Sequence, residues 1–305
     1  MDASSVLVTG GAGFIGSNLA NHLAEDTHVI AVDDCYLGTP ENLRDDVDFV
    51  EASVLDDDLP TDVDVVFHLA ALSSYAMHED DPTQGARVNV EGFVNTVDQA
   101  RRDGCDTVVY ASTSSIYGSR TAPSPEELSV SVNTGYEASK LARERYGEYF
   151  RNHYGLSVAG LRFFSVYQGY GGAEEHKGEY ANVIAQFADD VANGDAPKLY
   201  GDGEQTRDFT HVSDIVRGIE LAADHQLDGI YNLGTGDAYD FNTVVEMIND
   251  ELGTDVDPVY VENPIPDDVY VHDTCADASK IREATGWEPE IDFEEGIRRV
   301  CAQYQ

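Results

Sequence analysis

The feature that most constrains the fold is a glycine-rich segment near the N-terminus. An apolar run at residues 6–8 leads into TGGAGFIGSN, and a helical pattern follows to about residue 25. Gly10, Gly13 and Gly16 allow a tight turn after which backbone N–H groups and a helix N-terminus can face a pyrophosphate. Asp33 ends the next predicted strand, 17 residues after Gly16, at the usual distance for an acid that binds a ribose diol. The segment therefore predicts a dinucleotide site.

The acids at the end of that second strand indicate which dinucleotide binds. Asp33 is followed by Asp34, and the first arginine of the chain is Arg44. A carboxylate pair with no adjacent cation accepts hydrogen bonds from a ribose diol and repels a 2′-phosphate. The sequence therefore predicts NAD, in preference to NADP, as the cofactor.

Strand and helix patterns alternate over the first half of the chain. Further buried-strand patterns occur at 48–51, 63–69, 107–111 and 157–163, with helical patterns at about 83–103 and 135–154. This alternation predicts an α/β fold with a doubly wound parallel sheet, Rossmann-like and covered on both faces. We expect residues 1–165 to form the NAD-binding domain, to which the chain returns at about 210–235.

The composition of the sequence changes after Phe164, where SVYQGYGGAEEHKGEY predicts a loop rich in glycine and tyrosine. Helical patterns then follow among brief strands, at about 179–193, 212–224, 241–252 and 292–304. We expect residues 166–305 to form mainly a smaller C-terminal α/β lobe that binds the substrate.

Acidic residues dominate the charge of the chain. It carries 58 Asp and Glu against 18 Lys and Arg, a formal charge of -40. Such a surface repels nucleic acid and anionic membranes, so we expect neither as a partner. Because salt screens self-repulsion over a Debye length of about 3 Å at 1 M, a salt-loving host is our hypothesis for this composition.

The sequence gives no indication of secretion, membrane insertion or metal binding. No run approaches the roughly 18 apolar residues of a membrane span, and the N-terminus leads directly into a strand pattern, so we expect a cytoplasmic protein. The four cysteines are scattered at 35, 105, 275 and 301 without metal-ligand spacing. We expect reduced thiols and no metal ligands.

A tyrosine and a lysine four residues apart indicate catalysis when read together with the dinucleotide site. Tyr136 and Lys140 share one face of a predicted helix, and Thr113 ends a predicted strand whose carboxyl end lies beside the cofactor crevice. A phenol whose pKa is lowered by an ammonium and an oxidised nicotinamide can take a proton from a sugar hydroxyl. Alone, the pair could equally be a chance arrangement on a solvated helix.

The order of motifs resembles the extended short-chain dehydrogenases/reductases and, within them, the nucleotide-sugar epimerases. The similar segments span essentially the whole chain: TGGAGFIGSN, VDDCYLGTPENL, VFHLAA, NVEGFVNTV, STSSIYG, YEASK, LRFFSVY, YGDGEQTRDFTHVSDIV, YNLGTGD and ATGWEP. The resemblance implies an NAD-dependent 4-epimerase of UDP-glucose and UDP-galactose that works through a transient 4-keto sugar. It also implies a homodimer formed through the helices near 89–103 and 136–153.

The resemblance implies site residues position by position. Thr113 would bond the reacting sugar oxygen, Tyr136 would be the acid/base, and Lys140 would hold the nicotinamide ribose. The implied cofactor-binding residues are Gly10, Gly13, Phe14, Ile15, Gly16, Asp33, Asp34, Ser53, Val54, Leu69, Ala70, Ala71, Asn89, Tyr136, Lys140 and Phe164. The implied substrate-binding residues are Thr113, Ser114, Ser165, Asn182, Val183, Tyr200 and Arg207, although Arg207 could instead pair with its neighbour Asp208.

The residues after Thr113 favour simple epimerisation within the resembled family. Dehydratases place an Asp-Glu pair there and decarboxylating relatives a glutamate, whereas this chain has Ser114 and Ser115. Other functions stay open: epimerisation of a UDP-N-acetylhexosamine or UDP-uronic acid, reduction of a keto-sugar, or a non-catalytic role in NAD binding.

Three departures from the family leave substrate identity less defined than reaction type. Ser165 stands where an asparagine usually helps to hold the nucleotide, and Ser53 stands where an aspartate often meets the adenine. Residues 257–277 contain no Lys or Arg, although many epimerases have an arginine for the diphosphate in this region.

Overall fold

A seven-stranded parallel sheet forms the centre of the protein. The computed structural model describes residues 3–305, apart from the side chain at position 179. The sheet strands are β1 (Ser5–Thr9), β2 (His28–Asp33), β3 (Asp48–Glu51), β4 (Val65–His68), β5 (Thr107–Ala111), β6 (Ser157–Phe163) and β11 (Gly229–Leu233). Their order is β3-β2-β1-β4-β5-β6-β11, and every neighbouring pair is parallel. The predicted doubly wound fold is confirmed. The strand order reverses between β1 and β4, and open parallel sheets bind ligands at the point of such a reversal.

Ten α-helices occur in the described chain. They are α1 (Phe14–Leu23), α2 (Tyr75–Asp80), α3 (Pro82–Ala86), α4 (Gly92–Asp103), α5 (Gly135–Tyr154), α6 (Val183–Asn193), α7 (Val212–Asp224), α8 (Phe241–Leu252), α9 (Ser279–Thr285) and α10 (Phe293–Cys301). The remaining strands form two-stranded pairs: β7 (Val166–Tyr167) with β10 (Thr210–His211), β8 (Lys198–Tyr200) with β13 (Val259–Val261), and β9 (Thr206–Asp208) with β12 (Ala238–Asp240). None of the described helices is long and apolar enough to cross a membrane.

Three apolar clusters hold the layers together. Side chains from α1 and α7 cover one face of the sheet together with Trp287, which is completely buried. Phe93, Val97 and Phe150, from α4 and α5, cover the other face. The third cluster joins α6, α8 and α10 in the C-terminal half, which places a second core beside the carboxyl edge of the sheet.

Several predicted element bounds need correction. The helix predicted at 83–103 is divided into α3, a π-helical turn at Arg87–Glu91, and α4. The helix predicted from about 179 begins at Val183, because Ala181 and Asn182 have extended backbones and Asn182 caps α6. The preceding 3₁₀ segment Glu175–Tyr180 is itself broken at Gly178, which has a φ of 52°. The last predicted helix ends at Cys301 and continues only as a 3₁₀ turn. The long patterns at 135–154, 212–224 and 241–252 match the observed helices.

The glycine-rich turn depends on a backbone contact that leaves no room for a side chain. A Cβ at Gly16 would lie 1.9 Å from the Gly10 carbonyl oxygen, and one at Gly10 would lie 2.7 Å from the Ala70 nitrogen. Gly10 also has a φ of 69°, which favours glycine. The first turn of α1 can therefore lie directly against the ends of β1 and β4.

Gly16→Ala should destabilise this packing, since the clash is with backbone atoms that cannot rotate away. We expect a loss of about 3 kcal/mol in the free energy of unfolding, at the upper end of ordinary overpacking, measured by urea unfolding. Gly135→Ala is the matched control, because its Cβ would meet no atom closer than 3.5 Å. Equal stabilities for the two variants would contradict the proposed contact.

Candidate functional site

A cavity of about 590 Å³ opens at the carboxyl edge of the sheet, where β1 and β4 diverge. Most of the predicted site residues line it: Gly10, Gly13, Phe14, Ile15, Gly16, Asp33, Asp34, Val54, Leu69, Ala70, Ala71, Thr113, Ser114, Tyr136, Lys140, Ser165 and Arg207. The structure thus brings predicted cofactor and substrate residues into one space.

Among the described residues, six of the predicted site residues do not line the cavity. Asn89 and Phe164 lie behind the wall: Asn89 is fully buried, its Oδ1 accepts the Leu72 N–H, and Phe164 stacks on Tyr117. Asn89 therefore positions the wall at Leu72, and its predicted contact with the cofactor stays a prediction.

The other four lie farther along the chain. Ser53 accepts the Leu55 N–H, and Asn182 caps α6 by accepting the Ile184 N–H. Val183 begins α6, while Tyr200 is partly exposed at the end of β8. Their predicted roles in binding also stay predictions.

The N-terminus of α1 has the features needed to bind a dinucleotide. Gly13 occupies the N-cap without a side-chain cap, and the first turn carries no acid, so its N–H groups and helix dipole suit a pyrophosphate. Asp33 accepts hydrogen bonds from Ala12 N at 3.1 Å and Cys35 N at 2.9 Å. Burial raises the pKa of Asp33, while these bonds oppose the rise. Its carboxylate holds the turn in place and keeps further acceptor positions for a ribose diol.

The α5 helix brings Tyr136 to the cavity. Thr134 caps α5 in a capping box with Glu137, which fixes the first turn that carries Tyr136. Thr113 follows β5 and donates to the Ser115 hydroxyl at 3.1 Å. Both residues line the same cavity, and the Thr113 hydroxyl favours the ionised form of the Tyr136 phenol, which lowers its pKa. A sugar hydroxyl bound here would meet both groups.

Lys140 is almost completely buried, and its Nζ donates to the Ala111 carbonyl at 3.1 Å. Burial and the charge of Arg143 hold the pKa of Lys140 well below its usual range. Burial also raises the pKa of Tyr136, opposed by the Thr113 hydroxyl and by Arg143. Among the chain's own residues, desolvation of the phenolate outweighs the charges around it. The predicted lowering of this pKa by Lys140 and an oxidised nicotinamide stays a prediction.

Arg143 is one of the residues at the site that sequence reasoning missed. It is fully buried, donates to the backbone carbonyls of Asn89 and Ala70 at 2.5 and 2.8 Å, and has a pKa lowered by burial to about 10. Tyr136, Lys140 and Arg143 follow the i, i+4, i+7 spacing of one helix face, a signal that could have identified it. Other cavity residues that were not predicted include Tyr36, His176, Lys177, Tyr180, Val271 and Thr274.

Arg207 does not pair with Asp208, because alternate residues of β9 point to opposite faces. Its Nη1 donates to the carbonyls of Thr206 and His272, both at 2.8 Å, and its guanidinium lies 5.5 Å from the ring centre of Tyr270. No described carboxylate forms an ion pair with it. The charge of Arg207 is therefore available to a ligand in the cavity.

Asp208 has a structural role on the opposite face of β9. It is fully buried and accepts the N–H groups of Thr235, Gly236 and Ala276, each at 2.9 Å. These bonds tie β9 to the turn after β11 and to the segment before α9. Arg207 is consequently held on a well-anchored strand.

Comparison with known proteins assigns the chain to a family. Residues 6–234 match the model of the NAD dependent epimerase/dehydratase family. A "Putative UDP-glucose 4-epimerase" of Methanocaldococcus jannaschii is 35% identical, with 97% of this chain and 96% of the relative covered. A UDP-N-acetyl-alpha-D-glucosaminuronate decarboxylase of Bacillus cytotoxicus is 32% identical, with 98% and 97% covered.

A solved structure agrees with these sequence matches. UDP-glucose 4-epimerase of Thermotoga maritima with UDP-glucose superposes with a TM-score of 0.89 at 32% identity, covering 98% of both chains. The fold, the dinucleotide turn and these matches agree on NAD as the cofactor. The chain belongs to the NAD dependent epimerase/dehydratase family, within the extended short-chain dehydrogenases/reductases.

Proposed function

We propose that the chain is a nucleotide-sugar 4-epimerase that interconverts UDP-glucose and UDP-galactose. The observation that carries the proposal is the hydroxyl environment beside Tyr136. Thr113, Ser114 and Ser115 line the cavity there. Hydroxyls can hold a sugar oxygen, but they cannot supply the additional acid and base that elimination of water requires.

Two buried carboxylates of α5 are already used in the structure: Glu137 in the capping box, and Glu144. Glu144 accepts the Ser112 hydroxyl at 2.6 Å and forms a two-bond ion pair with Arg162, with both side chains buried. An acid held in this way behind β5 is not available as a second catalytic base. This supports oxidation and reduction at one carbon without elimination or decarboxylation.

Bound between the glycine-rich turn and Asp33, NAD would supply reversible hydride transfer at sugar C4. The Tyr136 phenolate takes the proton of the 4-hydroxyl while Thr113 holds the same oxygen, leaving a 4-keto sugar. Arg143 stabilises the phenolate by its charge, consistent with its opposing the rise in the pKa of Tyr136. After the sugar turns over, Tyr136 returns the proton, and NAD is unchanged overall.

The assay that tests the proposal measures cofactor content and turnover on one protein sample. Denatured protein should release NAD in about a 1:1 ratio to chain, and native protein should convert UDP-galactose to UDP-glucose. UDP-N-acetylglucosamine and UDP-glucuronate, assayed in parallel, cover the other nucleotide sugars. Turnover that needs continuous added NADH would identify a keto-sugar reductase instead, and bound NAD without turnover of any substrate would indicate a binding protein.

Tyr136→Phe should lower kcat by at least about 100-fold while NAD remains bound, because the ring is kept and only the acid/base is removed. Tyr260→Phe is the control, since Tyr260 is exposed on β13 and outside the cavity lining. Steady-state kinetics and NAD content together check the prediction. Near-normal turnover in Tyr136→Phe would disprove this assignment of the acid/base.

Arg207→Ala should raise KM for the UDP-hexose by roughly 10–100-fold, the effect of losing one charge-assisted contact with a diphosphate. Bound NAD should be unchanged. Arg298→Ala is the control, because Arg298 is exposed on α10, outside the cavity lining, and pairs only with Glu251 and Glu295 among the described residues. An unchanged KM would show that another group holds the diphosphate.

We further propose a homodimer formed through α4 and α5. The outer face of α5 exposes three tyrosines, Tyr146, Tyr149 and Tyr154, each 41–44% exposed. Tyr154 also lies 4.3 Å from the guanidinium of Arg101 on α4. A cluster of exposed rings on an otherwise acidic surface suits a self-complementary interface.

Sedimentation equilibrium should give twice the chain mass for the parent protein. Tyr149→Glu should shift it toward the monomer, because a two-fold axis would place two buried carboxylates near each other. Tyr260→Glu, exposed elsewhere, should remain dimeric. A monomeric parent would contradict the proposed interface.

A further inference from the structure

A segment outside the central sheet crosses over the dinucleotide turn. Residues 168–180, here called the crossing segment, follow β7 and reach the N-terminal half of α1. Gln168 and Asn18 exchange two side-chain hydrogen bonds, at 3.1 and 3.0 Å. Asn42 Nδ2 donates to His176 Nδ1 at 3.1 Å. The crossing segment is thus fixed both to α1 and to the loop after β2.

Lys177 lies on the crossing segment at the N-terminus of α1. Its Nζ is 5.2 Å from the ring centre of Phe14, and it lines the same cavity as Gly13, Phe14 and Ile15. Its side chain is only 20% exposed. A positive charge is therefore held beside the N–H groups that suit a pyrophosphate.

The carboxylate nearest to Lys177 does not satisfy it. Glu174 Oε1 lies 3.9 Å from Lys177 Nζ, beyond hydrogen-bond distance. Glu174 is fully buried, and its oxygens already accept the N–H groups of Gln168, Gly169 and Asn182. Among the described residues, Lys177 donates no hydrogen bond. Its ammonium is partly desolvated and keeps its donors for another acceptor.

We propose that Lys177 binds the pyrophosphate of NAD together with the first turn of α1. The cofactor is then held between two separate parts of the chain, the glycine-rich turn and the crossing segment. Two negative charges entering a protein of formal charge -40, past Asp33 and Asp34, need such a cation nearby. The role concerns the cofactor alone and does not depend on which sugar is epimerised.

Three variants test whether the charge of Lys177 binds the cofactor. Lys177→Met removes the charge and keeps an apolar stem against Phe14, Lys177→Arg keeps the charge, and Lys198→Gln removes an exposed lysine of β8. Removing the cation beside the buried Glu174 can also cost stability, so urea unfolding without added NAD measures that loss separately from cofactor binding. Loss of cofactor in Lys177→Met can then be attributed to binding.

The first measurement is the amount of NAD released per chain after exhaustive gel filtration. The second is titration calorimetry of the NAD-free proteins with NAD and with ADP-ribose. Lys177→Met should lose most of its NAD and bind both ligands about 10–100-fold more weakly, since both contain the pyrophosphate. Lys177→Arg should retain more NAD than Lys177→Met, and Lys198→Gln should match the parent.

Three results would overturn the proposal. Unchanged NAD content and affinity in Lys177→Met would do so directly. Unchanged NAD affinity with weaker binding of UDP would assign Lys177 to the substrate diphosphate. A fall in kcat with NAD and UDP binding both unchanged would assign it to the chemical step. Because NAD content is measured without turnover, a failure of the proposed epimerase activity would not imitate any of these results.

Discussion

The backbone contact between Gly10 and Gly16 sets the position of almost everything in the site. It lets the first turn of α1 approach the ends of β1 and β4 within a distance that any side chain would prevent. Asp33 then holds the same turn from the side of β2, through the N–H group of Ala12. The crossing segment is in turn bonded to α1 at Asn18. A small change at the turn would therefore move both halves of the proposed cofactor site.

Cations line the cavity of an otherwise acidic protein. The chain carries 58 acids, yet Lys140, Lys177 and Arg207 line the cavity, together with four aspartates, Asp33, Asp34, Asp80 and Asp81. Arg143 lies directly behind it, bonded only to backbone carbonyls among the described residues. The positive field is therefore confined to the surroundings of these cations. It favours an anionic group bound beside them, while the acidic surface repels larger polyanions.

The sequence predicted the elements whose patterns are local. The bounds of β5, β6 and α5 follow from apolar periodicity and a capping box, so they agree with the structure. The break at Gly178 was not predictable, because the left-handed backbone there depends on how the crossing segment packs. The pair β9–β12 joins residues some 30 positions apart, which no local pattern encodes. Arg143 was missed because a two-residue motif was read without the next turn of its helix.

The π-helical turn at Arg87–Glu91 makes the length of this helical stretch as important as its composition. The Gly92 N–H bonds the Arg87 carbonyl five residues back, so the turn holds one residue more than a regular α-helical turn. A wider turn accommodates that residue, so deleting it should restore an α-helical turn and leave Phe93 and Val97 of α4 in the core. Asn89 lies within the turn, so the deletion would instead move its side chain relative to Leu72. A deletion here should therefore affect the cavity wall before it affects the core.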